Sequence, residues 1–215
     1  MTIIRGRYGT ACCPGSGDGG GAMKYFNYDS YCGIYCGACD IMQAYQTGRT
    51  TRFTSFLKES TVKAIHRAMG LKYDDSRPFE LSCQGCKTGS LFVNCSVCEI
   101  RKCAIERNID HCVDCGDYPC PLFSEWQKMG LFLPHLKEAP GSLDAIKSRG
   151  VNRWLSEQEK RWQCPDCGTG FSWYSSKCAH CGRGLKGHAF RFGILKAGLM
   201  KLALNLSSLM PGKRK

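Results

Sequence analysis

Apolar residues recur along this chain in short bursts, each closed by a cysteine pair, a glycine or a proline. That pattern predicts several short helices and little continuous sheet. The clearest burst spans 51–69, where Phe53, Phe56, Leu57, Ile65, Ala68 and Met69 repeat at helical spacing and Gly70 supplies a stop. A core-facing helix is the plain reading of that stripe. Shorter helices are expected at 38–45, 104–108 and 122–129, with one or two more across 143–160, interrupted at Gly150. Residues 162–184 carry turn residues and aromatics, the pattern of a small β-hairpin module. From 190 to 210 the chain is mostly apolar, broken by Arg191, Lys196 and Lys201.

Composition changes this picture in one decisive respect: 17 of the 215 residues are cysteine. Residues 1–23 hold no apolar run of the length a signal peptide needs, so a reducing, cytoplasmic setting is expected. There, cysteines at two-residue spacing are metal ligands more often than disulfides. The segment 1–22 is Gly-rich and aperiodic, and it reads as disordered or as a mis-assigned start, with Met23 the expected translation start. The fold class expected is α+β: a small metal-stabilised cysteine-rich domain of mostly short helices plus a β-hairpin zinc ribbon. Its parts are a cysteine-rich domain at 23–148, a helical linker at 149–161, the ribbon at 162–184 and a basic apolar tail at 185–215.

Charge follows the same division. The formal net charge is +12, and residues 149–215 carry 13 Lys/Arg against 3 Asp/Glu, so the basic character belongs to the C-terminal part. Metal-bound cysteine is thiolate, and four such cysteines around one zinc ion carry a net charge of −2. The isoelectric point alone therefore does not argue for nucleic-acid binding.

The strongest local signal is Cys164-Pro-Asp-Cys167-Gly followed by Cys178-Ala-His-Cys181-Gly. Two residues between cysteines let both sulfurs face one ion, and the glycine permits the tight turn that follows. The intervening loop has 10 residues, enough for one short hairpin, and the whole resembles a short zinc ribbon. His180 lies inside a knuckle that the cysteines already complete, so it is expected to be a spectator.

A second signal is an internal repeat. Cys95, Cys98 and Cys103 recur as Cys112, Cys115 and Cys120, each displaced by 17 positions, and Cys83 and Cys86 precede them. These eight cysteines suffice for two four-cysteine sites. One partition groups Cys83, Cys86, Cys95 and Cys98, then Cys103, Cys112, Cys115 and Cys120; interleaved partitions are equally compatible. The third signal is Cys32-x3-Cys36-x2-Cys39. Its spacing matches that of radical S-adenosylmethionine enzymes, but no βαβ alternation follows to build their barrel. A structural site completed from elsewhere, or an iron–sulfur cluster without radical chemistry, are the other readings. Asp40 and His111 are conceivable fourth ligands, each read more plainly as a surface residue.

The run Tyr31-Cys32-Gly33-Ile34-Tyr35-Cys36-Gly37-Ala38-Cys39 resembles the opening of the domain of unknown function 3795 family, as does Cys83-Gln84-Gly85-Cys86. The stretch Cys98-Glu99-Ile100-Arg101-Lys102-Cys103-Ala104 and its continuation through Cys112, Cys115 and Tyr118-Pro119-Cys120 resemble the rest of that pattern, so the likeness extends from Tyr31 to Phe123. It implies a small cysteine-rich, metal-binding domain found often in anaerobes, and it implies no particular reaction.

The functional expectation is a metal-binding adaptor or regulatory module, chiefly of structural zinc. The alternatives are an iron–sulfur redox or cluster-carrying protein, and a nucleic-acid binder that uses ribbon and tail. Phe171, Trp173 and Tyr174 would then stack on bases, or else form the ribbon's small core. Arg101 and Lys102 read as anion ligands or as compensation for thiolate charge. No Ser/His/Asp triad, carboxylate pair or phosphate-binding loop is found, so the reading leans away from an enzyme and identifies no small-molecule substrate. The tail suits a protein partner first, then an anionic membrane surface, then nucleic acid.

Overall fold

The computed structural model describes residues 25–68, 72–76 and 78–191. The extension at 1–22 with its expected start at Met23, and the tail from 192 onward, lie outside the described residues. Eight α-helices are present among the described residues: α1 Asp40–Thr47, α2 Arg52–Phe56, α3 Glu59–Ala68, α4 Val93–Ser96, α5 Glu99–Glu106, α6 Pro121–Lys128, α7 Ala139–Arg149 and α8 Val151–Arg161. Short 3-10 turns at Cys36–Ala38, Cys112–Asp114, Met129–Leu131 and Pro134–Glu138 join them. Among the described residues no helix is long and apolar enough to cross a membrane.

Sequence periodicity locates most of these helices but not all of their bounds. The break at Gly150 falls where expected and separates α7 from α8. The long helix expected at 51–69 is instead two, α2 and α3, with Leu57 leaving helical geometry between them. The division has a packing reason: Leu57 and Val62 both reach a small core with Phe92 and Cys83, while Phe56 stays exposed. Thr51 caps α2 reciprocally with Thr54, a local start signal that the apolar stripe concealed. Likewise α5 begins at Glu99, five residues before the apolar pattern suggests, because Cys98 serves as its N-cap.

The β-hairpin is absent: residues 162–191 hold only isolated bridges, Gln163 to Gly170, Lys177 to Gly184 and Lys186 to Ala189. Each knuckle closes on itself through local turns, leaving too few residues between the cysteine pairs to propagate a ladder.

One core joins nearly everything. Ile34, Tyr35 and Ala38 from the first cysteine loop, Leu143 and Ile146 from α7, Trp154 from α8, and Trp162, Phe171, Trp173 and Leu185 form a single buried cluster. Trp154, within the segment 149–161, meets Tyr35 edge to face at 6.0 Å. Gly33 lets the cysteine loop sit on α7, since a Cβ there would stand 2.7 Å from the Leu143 side chain and 2.9 Å from the Ala139 carbonyl. The C-terminal module is therefore docked on the cysteine-rich domain: Trp173 N–H donates to the Ala38 carbonyl at 2.9 Å. Phe171 and Trp173 are buried in this shared core and are not free to stack on bases.

Candidate metal centres

The C-terminal site is built from two near-identical turns. Cys164 N–H donates to the Thr169 carbonyl and Gly168 N–H to the Cys164 carbonyl, both at 2.8 Å. In the second turn Cys178 N–H donates to Arg183 at 2.8 Å and Gly182 N–H to Cys178 at 3.1 Å. Gly168 and Gly182 have φ of 70° and 76°, the left-handed geometry each knuckle needs after its second cysteine. The turns face each other, and the sulfurs of Cys164, Cys167, Cys178 and Cys181 all lie within 4.8 Å of one another. Cys164 to Cys181 and Cys167 to Cys178 are 3.6 Å apart. These four cysteines could hold a metal ion. Hydrogen bonding with Thr169 draws the Cys167 thiol down to about 6, toward the thiolate a metal requires. His180 is exposed and is not part of the group.

The other eleven cysteines form a continuous array through the helical domain, and the array is interleaved. Cys83 and Cys95 are hydrogen-bonded to each other; that bond draws Cys83 down to about 6 and, with burial, pushes Cys95 well up. Cys36 and Cys39 lie beside Cys83, and Cys36 also accepts from the Cys86 N–H. Cys32, Cys86 and Cys98 are mutual neighbours. Cys103, Cys112, Cys115 and Cys120 together line a cavity of about 570 Å³. The last four cysteines all line that one cavity. Within the Cys32-x3-Cys36-x2-Cys39 run, Cys36 and Cys39 neighbour Cys83, Cys36 also neighbours Cys86, and Cys32 neighbours Cys86 and Cys98.

Three of these cysteines stand at the start of eight-residue helices. Cys39 precedes α1, Cys98 precedes α5 and Cys120 precedes α6, where the Cys120 sulfur accepts from Phe123 N–H at 3.5 Å. The positive end of each helix dipole thus faces thiolate charge. Backbone N–H groups of Phe92 and Gly85 serve Cys83, those of Met42 and Ile41 serve Cys39, and that of Tyr31 serves Cys86. Burial otherwise pushes the thiols up, Cys32 to about 11 and Cys39 and Cys112 to about 12. A bound cation favours the thiolate by offsetting its charge.

Spacing separates the array from the C-terminal site. Among the described residues, no other three ligand atoms of Cys, His, Asp or Glu all lie within 4.8 Å of one another.

The two conceivable fourth ligands are not surface residues. Asp40 is 1% exposed and accepts hydrogen bonds from Thr51 Oγ1 at 2.9 Å and Ser172 Oγ at 2.8 Å, tying α1 to the C-terminal module. Burial raises its carboxyl above the ordinary carboxylate value. His111 is 6% exposed, with Nε2 2.9 Å from Asp29 and Nδ1 3.5 Å from Asp114. Lys87 closes this buried cluster at 2.5 Å from Asp29. Both imidazole nitrogens are engaged, so His111 braces the Cys112 turn. No local pattern announces the Asp29–Lys87–His111 contact, since Lys87 and His111 lie 58 and 82 positions from Asp29. Arg101 donates from Nε to the Cys86 carbonyl at 2.9 Å and offsets thiolate charge there, while Lys102 pairs with Glu99 at 2.6 Å.

These features define a small helical domain rich in neighbouring thiols, joined to a four-cysteine site able to hold a metal ion. Residues 28–125 match the family described as Protein of unknown function (DUF3795). The match encloses the whole eleven-cysteine array and ends before the C-terminal site. No curated protein and no solved structure matches the chain.

Proposed function

We propose that this chain is an iron–sulfur protein, with clusters in the cysteine array of residues 28–125 and a structural zinc ion in the C-terminal site. The observation that carries the reading is sulfur spacing. Zinc bound tetrahedrally at about 2.3 Å from each sulfur sets neighbouring sulfurs ~3.8 Å apart. The 3.6 Å pairs among Cys164, Cys167, Cys178 and Cys181 suit that one ion. In a cluster each thiolate binds a different iron, so the sulfurs stand further apart around a larger inorganic body. Cys103, Cys112, Cys115 and Cys120 surround a cavity of about 570 Å³, which suits the second arrangement. Backbone amides and helix N-termini directed at the sulfurs are the groups by which a protein adjusts cluster potential. Electron transfer or redox sensing is the role such an array supports.

Iron, acid-labile sulfide and zinc, measured on the full chain purified without oxygen, test the reading. The expected result is about one zinc per chain together with iron and sulfide in near-equal amounts and broad visible absorbance. Zinc at about one ion per four cysteines, without sulfide, would overturn it.

A further inference from the structure

Apolar surface and positive charge meet at one flank of the molecule. The turn Met129–Leu131 and its C-cap Phe132 carry two adjacent large side chains, Leu131 and Phe132, that are 59% and 52% exposed. Beside them Lys137 packs along Gly130, where a Cβ would stand 2.8 Å from the lysine Cγ. A single exposed leucine is ordinary, but two large apolar neighbours on one turn form a patch, here with a cation at its edge. The described residues end beside this patch. Phe190 N–H donates to the Trp173 carbonyl at 2.7 Å, and the Phe190 ring lies 6.4 Å from Tyr174. The Tyr174 hydroxyl is 2.6 Å from Nδ1 of His135, which follows Phe132 closely in the chain.

The sequence beyond Arg191 suits the same flank. Residues 167–215 hold nine Lys/Arg and no Asp or Glu, and seven of the nine lie beyond residue 184. A zinc ion with four thiolates offsets only two of these charges. At helical pitch Leu195, Leu199, Leu202, Leu206 and Leu209 share one face, flanked by Lys196 and Lys201. The longest uncharged run there, 202–212, has 11 residues against the ~20 needed to span a bilayer, so the segment suits the interface. Nucleic acid fits less well, since Phe171 and Trp173 are buried and the tail cations alternate with leucines instead of aromatic residues.

We propose that this flank docks on an anionic lipid bilayer, with Leu131 and Phe132 entering the headgroup boundary and the segment 192–210 lying in the membrane plane. Lys137, Arg191 and the tail cations meet the lipid phosphates. The inference goes beyond the metal reading and does not depend on which metals bind.

Vesicle co-sedimentation of the full chain tests it, with phosphatidylcholine vesicles as the neutral probe and equal parts phosphatidylcholine and phosphatidylglycerol as the anionic one. Binding to the anionic vesicles should be about tenfold tighter or more, and should weaken as salt rises from about 0.1 M to about 0.5 M. Leu131→Ser with Phe132→Ser should weaken it about tenfold, with an unchanged melting curve because both side chains are exposed. Lys196→Glu with Lys201→Glu should weaken it at least as much. Equal binding to both vesicle types, or none to either, would overturn the inference. Wild-type binding by the Leu131 and Phe132 double variant would overturn it too, by removing that turn from the surface. Binding to duplex DNA that anionic vesicles fail to displace would assign the tail charge to nucleic acid instead.

Discussion

The C-terminal site and the Cys103–Cys120 cavity use the same ligand type in sets of four, yet their geometries differ. In the first, two short turns face each other and bring every sulfur within 4.8 Å of the others. In the second, the cysteines come from α5, the Cys112 turn and the start of α6, and they stand around open volume. Thiolates suit zinc and iron–sulfur alike, so it is the separation imposed by the backbone that distinguishes a mononuclear site from a cluster site. The comparison also shows that the two sites are mechanically joined. Phe171, Ser172 and Trp173 leave the C-terminal knuckles and end against Ala38, Asp40 and His135, beside the first cysteine loop.

The largest test of this joining is Cys164→Ser with Cys167→Ser. Structural zinc supplies a folding term of about 10 kcal/mol. Because Trp162, Phe171 and Trp173 belong to the common core, the double variant should lose the cooperative melt of the whole chain. Circular dichroism and limited proteolysis read the result; a domain that melts as before would separate the two regions. Trp173→Ala should cost ~3–5 kcal/mol through lost core volume, leaving the four C-terminal cysteines in place. Its zinc content should stay near wild type while iron content falls. Equal loss of both metals would show that the docking supports the C-terminal site too.

Asp40→Ala is a smaller perturbation. It removes the acceptor shared by the Thr51 hydroxyl and the buried Ser172 hydroxyl, at a cost of ~1–3 kcal/mol measured by denaturant unfolding. His135 sharpens the comparison through pH. Its ring stacks on Trp173 at 3.9 Å, its Nδ1 lies 2.6 Å from the Tyr174 hydroxyl, and burial pushes it down to about 3. The unfolded chain binds this proton near pH 6.5 and the folded one does not, so stability falls as pH drops from 6.5 toward 3. The slope is bounded by about 1.4 kcal/mol per pH unit. His135→Gln should flatten that part of the acid dependence relative to wild type; parallel curves would assign the acid sensitivity to other groups.

Legibility in the sequence followed the distance between interacting residues. The C-terminal cysteine site was plain because both pairs are local and each carries its own turn glycine. The break at Gly150 and the helix at α6 were equally local, the latter announced by Pro121 at its first position. The hairpin expected between the knuckles failed because tight turns consume the residues that strands would need. The division of 51–69 into α2 and α3 was hidden because Leu57 and Val62 are drawn to Phe92, 35 and 30 positions away along the chain. Asp40 and His111 looked like surface residues because their partners, Ser172 and Asp29, are 132 and 82 positions distant.

By itself, then, the amino-acid sequence determined a helical, thiol-rich stretch that matches the DUF3795 family, with a four-cysteine module behind it. Spacing, turn residues and helical period are properties of neighbouring positions, and they survive without knowledge of the fold. Only the tertiary structure decided which cysteines meet, how far apart their sulfurs stand, and that the module is part of the common core. Those outcomes depend on long-range packing of Tyr35, Leu143, Trp154 and Trp173. No local pattern encodes a distance between sulfurs carried on separate helices.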